Sequence, residues 1–149
     1  MGLFALSGCG FSPVYQYADE LRGAFTFDVE RSVVAFAARN RLEDRLGSPA
    51  AARFTLKARL DLSERAASIT AEGDTARINV VGAANWSVIE TATGQELARG
   101  TVNGFTSYAT TGSTVATQTT RDDARTRLAI ILADMIVTRI LSRAELFAT

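Results

Sequence analysis

The 149-residue chain has no histidine, which removes the usual general base of a hydrolytic triad and the commonest transition-metal ligand. Cys9 is its single cysteine, so neither an intrachain disulfide nor a zinc site built from several thiolates can form. Lysine is almost missing too: of 16 basic residues only Lys57 is not arginine. No stretch approaches the roughly 18 to 20 uninterrupted apolar residues of a spanning helix. The 16 basic residues are matched by 16 acidic ones, and this balance gives no reason to expect nucleic acid as a partner. A Gly-x-Ser-x-Gly nucleophile elbow is also lacking. No catalytic residue, metal site or cofactor is expected, and the chain is read as a non-enzyme.

What is present is a folded domain. The hydrophobic share of 47% and charged share of 21% suit one continuous core at this length. Ala24 to Glu30 alternates, with Phe25, Phe27 and Val29 on one face, and predicts a strand. Ser32 is placed as an N-cap. Val34, Ala38, Leu42 and Leu46 then recur every fourth position, and Gly47 with Pro49 ends the helix. Phe54 to Ser63 alternates as a strand. Arg77 to Glu90, a turn over Thr91 to Gln95, and Glu96 to Tyr108 predict a long β-hairpin. Thr110 to Thr119 has loop composition. Thr120 with Asp123 resembles a capping box that opens a helix reaching about Arg143, striped by Ala124, Leu128, Ile131, Leu132, Met135, Ile136 and Ile140. Asp122 and Asp123 are explained by capping and the helix dipole, not by catalysis.

Strand, helix, about three strands and a long helix give an α+β fold: a two-layer sandwich with two helices on one face of a mostly antiparallel sheet of about four strands. The organisation read from this is a partial lipoprotein signal and lipobox over 1–9, a tether over 10–23, and one periplasmic domain over 24–149.

Leu6, Ser7, Gly8 and Cys9 form a lipobox, in which small residues admit the backbone to a peptidase and the thiol accepts diacylglycerol. The bland alternative is a buried core cysteine. Met1 to Ser7 falls short of the basic region and roughly 7 to 15 apolar residues of a secretory signal. A start assigned too far downstream, or a trimmed chain, is the expected reason. Gly10 in place of aspartate after the cysteine favours outer-membrane sorting, with the acyl chains as anchor.

The run Cys9-Gly10-Phe11-Ser12-Pro13-Val14-Tyr15 is similar to the opening of the lipopolysaccharide-assembly lipoproteins of alphaproteobacteria, the LptE family. Arg39 to Leu46 resembles their first helix. Trp86-Ser87-Val88, Thr93-Gly94, Gly100 and Ser107-Tyr108 resemble their central hairpin, and Asp122-Asp123-Ala124 with Leu132-Ala133-Asp134 their last helix. The resemblance implies the same helices-on-sheet fold, a place partly inside the outer-membrane barrel LptD as plug and assembly factor, and contact with lipopolysaccharide.

Arg31 to Leu60 carries seven basic residues against Glu43 and Asp44, a local net charge of +5. Arginine forks suit phosphates. Arg39, Arg45, Lys57 and Arg59 are therefore candidates for lipid A phosphates, against the plainer reading of a solvated face. Phe105 and Tyr108 are candidates for the barrel interface, and Trp86 is expected in the core. The rival function is an auxiliary lipoprotein of a lipid-transport ABC system, separable by gene neighbourhood. A lipid-modifying hydrolase is opposed by the missing histidine.

Overall fold

In the computed structural model, residues 19–69, 75–110 and 113–147 are described. Strand β1 (Phe25–Val29) is followed by α1 (Val33–Leu46). The Ser32 hydroxyl accepts a hydrogen bond from the Ala35 amide at 3.1 Å and starts the helix where the sequence placed its cap. Gly47 ends it at φ 85°, and a Cβ there would lie 2.8 Å from the Gly23 nitrogen. That nitrogen donates to the Leu46 carbonyl at 2.7 Å, so the chain leading into β1 closes the end of α1. Leu21, at 2% exposure, belongs to the same packing.

Three long strands follow: β2 (Phe54–Ile69), β3 (Thr75–Glu90) and β4 (Glu96–Ala109). The sheet order is β1-β2-β3-β4, with the last two pairings antiparallel. The long helix α2 (Thr114–Leu141) then returns across the sheet and is followed by a short 3-10 turn (Ala144–Leu146). Both helices pack on one face, as the patterning predicts.

Three features go beyond the sequence reading or differ from it. Strand β1 pairs with β2 in parallel, Phe25 opposite Phe54 and Val29 opposite Ala58. This follows from α1, whose crossover reverses the chain twice before β2 begins. Second, α2 starts at Thr114, inside the segment read as a loop. Ser113 caps it by accepting from the Ala116 amide at 3.3 Å. Thr119 and Thr120 satisfy their hydroxyls on carbonyls of the preceding turn at 3.1 Å. Third, the buried stripe of α2 is Ala124, Leu128, Ala129, Leu132, Ala133, Ile136, Val137 and Ile140, while Ile131 stays 40% exposed. The stripe is turned toward α1 as well as the sheet, so small residues enter it.

The core lies between the layers. From the sheet it takes Phe25, Phe27, Phe54, Leu56, Ala58, Val80, Ala84, Trp86, Val88 and Val102. Trp86 is 4% exposed, as expected of a core residue. Among the described residues, no helix covers the other face of the sheet.

Candidate functional site

Alternation along the strands decides which charged side chains reach the uncovered face. Leu56 and Ala58 point to the helices, so Lys57 and Arg59 point away from them and are exposed. Register carries the row across the sheet: Lys57 opposes Ser87, which opposes Arg99, and Arg59 opposes Asn85, which opposes Thr101. These side chains line an open cavity of about 590 Å³, with Glu96 as its acidic member. Thr101 Oγ1 donates to Asn85 Oδ1 at 2.7 Å. Arg99 lies in this row without having been singled out from the sequence; its register with Lys57 through β3 is a tertiary fact.

Arg39 and Arg45 are on the other layer. Arg39 Nε donates to Glu43 Oε1 at 3.0 Å, one helical turn on. Arg45 donates to Asp134 Oδ1 at 2.6 Å, and Arg41 grips the same carboxylate through both oxygens at 2.9 and 3.1 Å. This fork ties α1 to α2, and its hydrogen bond together with the Asp134 charge raises the Arg41 pKa. The four basic candidates therefore divide into two pairs on opposite layers. Lys57 and Arg59 share a cavity; Arg39 and Arg45 are engaged on the helices.

The aromatic pair divides similarly. Phe105 is 69% exposed on the uncovered face, whereas Tyr108, three residues on, is 6% exposed on the helix face. The Tyr108 hydroxyl donates to Glu64 Oε2 at 3.1 Å, and Arg121 and Arg125 donate to Glu64 Oε1 at 2.8 and 3.1 Å. Burial pushes the Glu64 carboxyl up, but these three hydrogen bonds outweigh it and hold the pKa below the usual value. Burial and the nearby carboxylate both raise the Tyr108 hydroxyl. Glu64 was missed because its partners lie 44 to 61 residues away in sequence.

At the start of α1, Val33 and Phe36 are 84% and 64% exposed and border a cavity of about 530 Å³ with Arg31 and Arg39. Cys9 lies outside the described residues. No helix among the described residues is long and apolar enough to cross a membrane.

The geometry offers charge and an open sheet face. Comparison with known proteins agrees with the layered fold. A lipoprotein from Caulobacter crescentus superposes with a TM-score of 0.67 at 18% identity, covering 89% of this chain and 98% of its own. Rare lipoprotein B from Shewanella oneidensis gives 0.60 at 16% identity, with 80% and 94% covered. A minor lipoprotein from Acinetobacter baumannii gives 0.54 at 12% identity, with 80% and 90% covered. These similarities establish the fold. No curated protein matches the sequence. The family model for lipopolysaccharide assembly, LptE, matches residues 24–140, from the start of β1 to the end of α2, and the chain belongs to that family.

Proposed function

We propose that this protein is anchored through acylated Cys9 to the periplasmic face of the outer membrane, where it acts as plug and assembly partner of the LptD barrel in transport and insertion of lipopolysaccharide. The observation that carries this reading is the family match across the whole two-layer domain. Such a role asks for rigid surfaces, not for catalysis. The Asp134 fork and the Glu64 network supply rigidity by tying α2 to α1 and to the sheet. Phe105 is the barrel contact proposed on the uncovered face; Tyr108 supports that region from beneath by holding Glu64. Lipopolysaccharide phosphates are assigned to the basic candidates Arg39, Arg45, Lys57 and Arg59.

Co-expression with the barrel and affinity purification from outer membranes tests the partnership. A one-to-one complex is expected, with an interface well above the roughly 1,600 Å² of a standard one. Recovery of the lipoprotein alone under mild detergent overturns the reading.

A further inference from the structure

We infer that the protein pairs with a second copy of itself through the outer edge of β4, a two-fold dimer that joins two four-stranded sheets into one. Among the described residues no strand lies beside that edge, so the outward amides and carbonyls of β4 are without a strand partner. The other free edge is protected. Beyond Val29, where β1 stops, β2 also runs without an outer neighbour, but it breaks register between Ala66 and Ile69 and turns the charged Glu64 toward the helices. Both devices discourage strand addition. Strand β4 has neither from Ala98 to Tyr108. It keeps regular register with β3 there, contains no proline or lysine, and carries no charge among its helix-side residues Ala98, Gly100, Val102, Gly104, Thr106 and Tyr108.

A second copy fits because the strand is self-complementary. Opposed residues of an antiparallel pair share a face, so the two-fold axis passes through a residue, not between two. An axis at Val102 sets Gly100 against Gly104, Thr101 against Asn103 and Arg99 against Phe105, each pair formed twice. The Arg99 side chain is 81% exposed and Phe105 69% exposed, both on the uncovered face; opposed, they make a cation–π contact. The two Arg99 side chains stand about 20 Å apart along the paired strands, so like charges do not meet. From Ala98 to Thr106 the pairing adds roughly eight to ten hydrogen bonds, the number in a typical interface.

The helix layer agrees with the same axis. Helix α2 runs antiparallel to β4: Thr106 bonds to Ala124, and a Cβ at Gly104 would lie 3.7 Å from the Ile131 side chain. One helical turn on, Met135 is level with Val102. Leu128 reaches both Gly82 and Gly104, which places α2 between β3 and β4 and brings the two α2 helices about 10 Å apart, a packing distance. Ile131, 40% exposed, and the partly buried Met135 then cover each other across the axis. The dimer does not depend on the barrel reading. It occupies Phe105, so barrel and second copy are alternatives at this edge.

Sedimentation velocity of the full chain up to about 100 µM is expected to show a concentration-dependent passage from monomer to dimer, and a monomer throughout overturns the proposal. Thr101→Lys/Asn103→Lys sets lysines against each other across the axis at two exposed positions and is expected to weaken the dimer at least tenfold. Ile131→Glu is expected to weaken it at least fivefold. Phe36→Ser removes an exposed apolar side chain on α1, away from β4, and is expected to stay within twofold. A dimer as tight in both the lysine and the glutamate variants as in the parent overturns the surface, as does one that Phe36→Ser weakens tenfold. Cross-linking reads the register and serves if the charged variants fail to fold. Cys9 is the only native thiol, so Cys9→Ala/Thr101→Cys/Asn103→Cys carries thiols at one opposed pair alone. Mild oxidation is expected to give a covalent dimer, and a chain that stays monomeric on a denaturing gel overturns the pairing.

Discussion

At the residue scale, two carboxylates organise most of the ionic structure, and neither sits beside its partners in sequence. Asp134 receives Arg41 and Arg45, and Glu64 receives Arg121, Arg125 and the Tyr108 hydroxyl. Glu64 has its pKa held below the usual glutamate value, so it binds a proton more weakly folded than unfolded. Its contribution is therefore complete above the unfolded value and lost as pH falls through the folded one. Glu64→Gln is expected to lower the urea midpoint at pH 7, with the gap to the parent narrowing as pH drops below about 4.3. Urea titrations at several pH values check this; a gap constant from neutral to strongly acidic pH counts against it.

At the scale of elements, the approach of α2 to the sheet depends on missing side chains. Gly82 on β3 and its register partner Gly104 on β4 lie beneath Leu128, where an added Cβ would come within 3.0 and 3.3 Å of the leucine methyls. At Gly82 the same atom would also stand 3.2 Å from the Asp61 carbonyl, which cannot move aside. Gly82→Val is expected to destabilise the domain by about 1–3 kcal/mol through overpacking. Equilibrium unfolding monitored by Trp86 fluorescence measures it, and an unchanged midpoint would show that α2 can lift at no cost. The glycines were visible in sequence but gave no sign of a helix above them. The true start of α2 was hidden for a related reason. Threonine is a modest helix former in isolation, and hydroxyl bonds to the preceding turn appear only once the helix exists.

At the scale of the whole molecule, the chain closes on itself through Phe147. That ring is 1% exposed and packs edge-on against Phe25 of β1 and Phe54 of β2, at centroid distances of 6.1 and 5.5 Å. The C-terminal turn thus seals the end of the sheet where β1 and β2 run parallel. Phe147→Ala is expected to cost about 3–5 kcal/mol. Differential scanning calorimetry should show a clear fall in Tm, and a loss under one degree would make the C-terminal turn dispensable.

Sequence alone determined the existence of the elements and, outside α2, most of their buried faces, because hydrophobic periodicity is a local signal: α1 with its Ser32 cap, the β3–β4 hairpin, and Trp86 in the core all follow from neighbours within a few positions. It also determined the two-layer class, since amphipathic helices and half-buried strands have few ways to cover one another. Only the tertiary structure decided the parallel pairing of β1 and the early start of α2. It also sorted Arg39 and Arg45 to the helices while placing Lys57 and Arg59 beside Arg99 on the open sheet. Charge carries no periodicity of its own; which cations meet is set by strand register and helix packing, and these exist only after the core has formed.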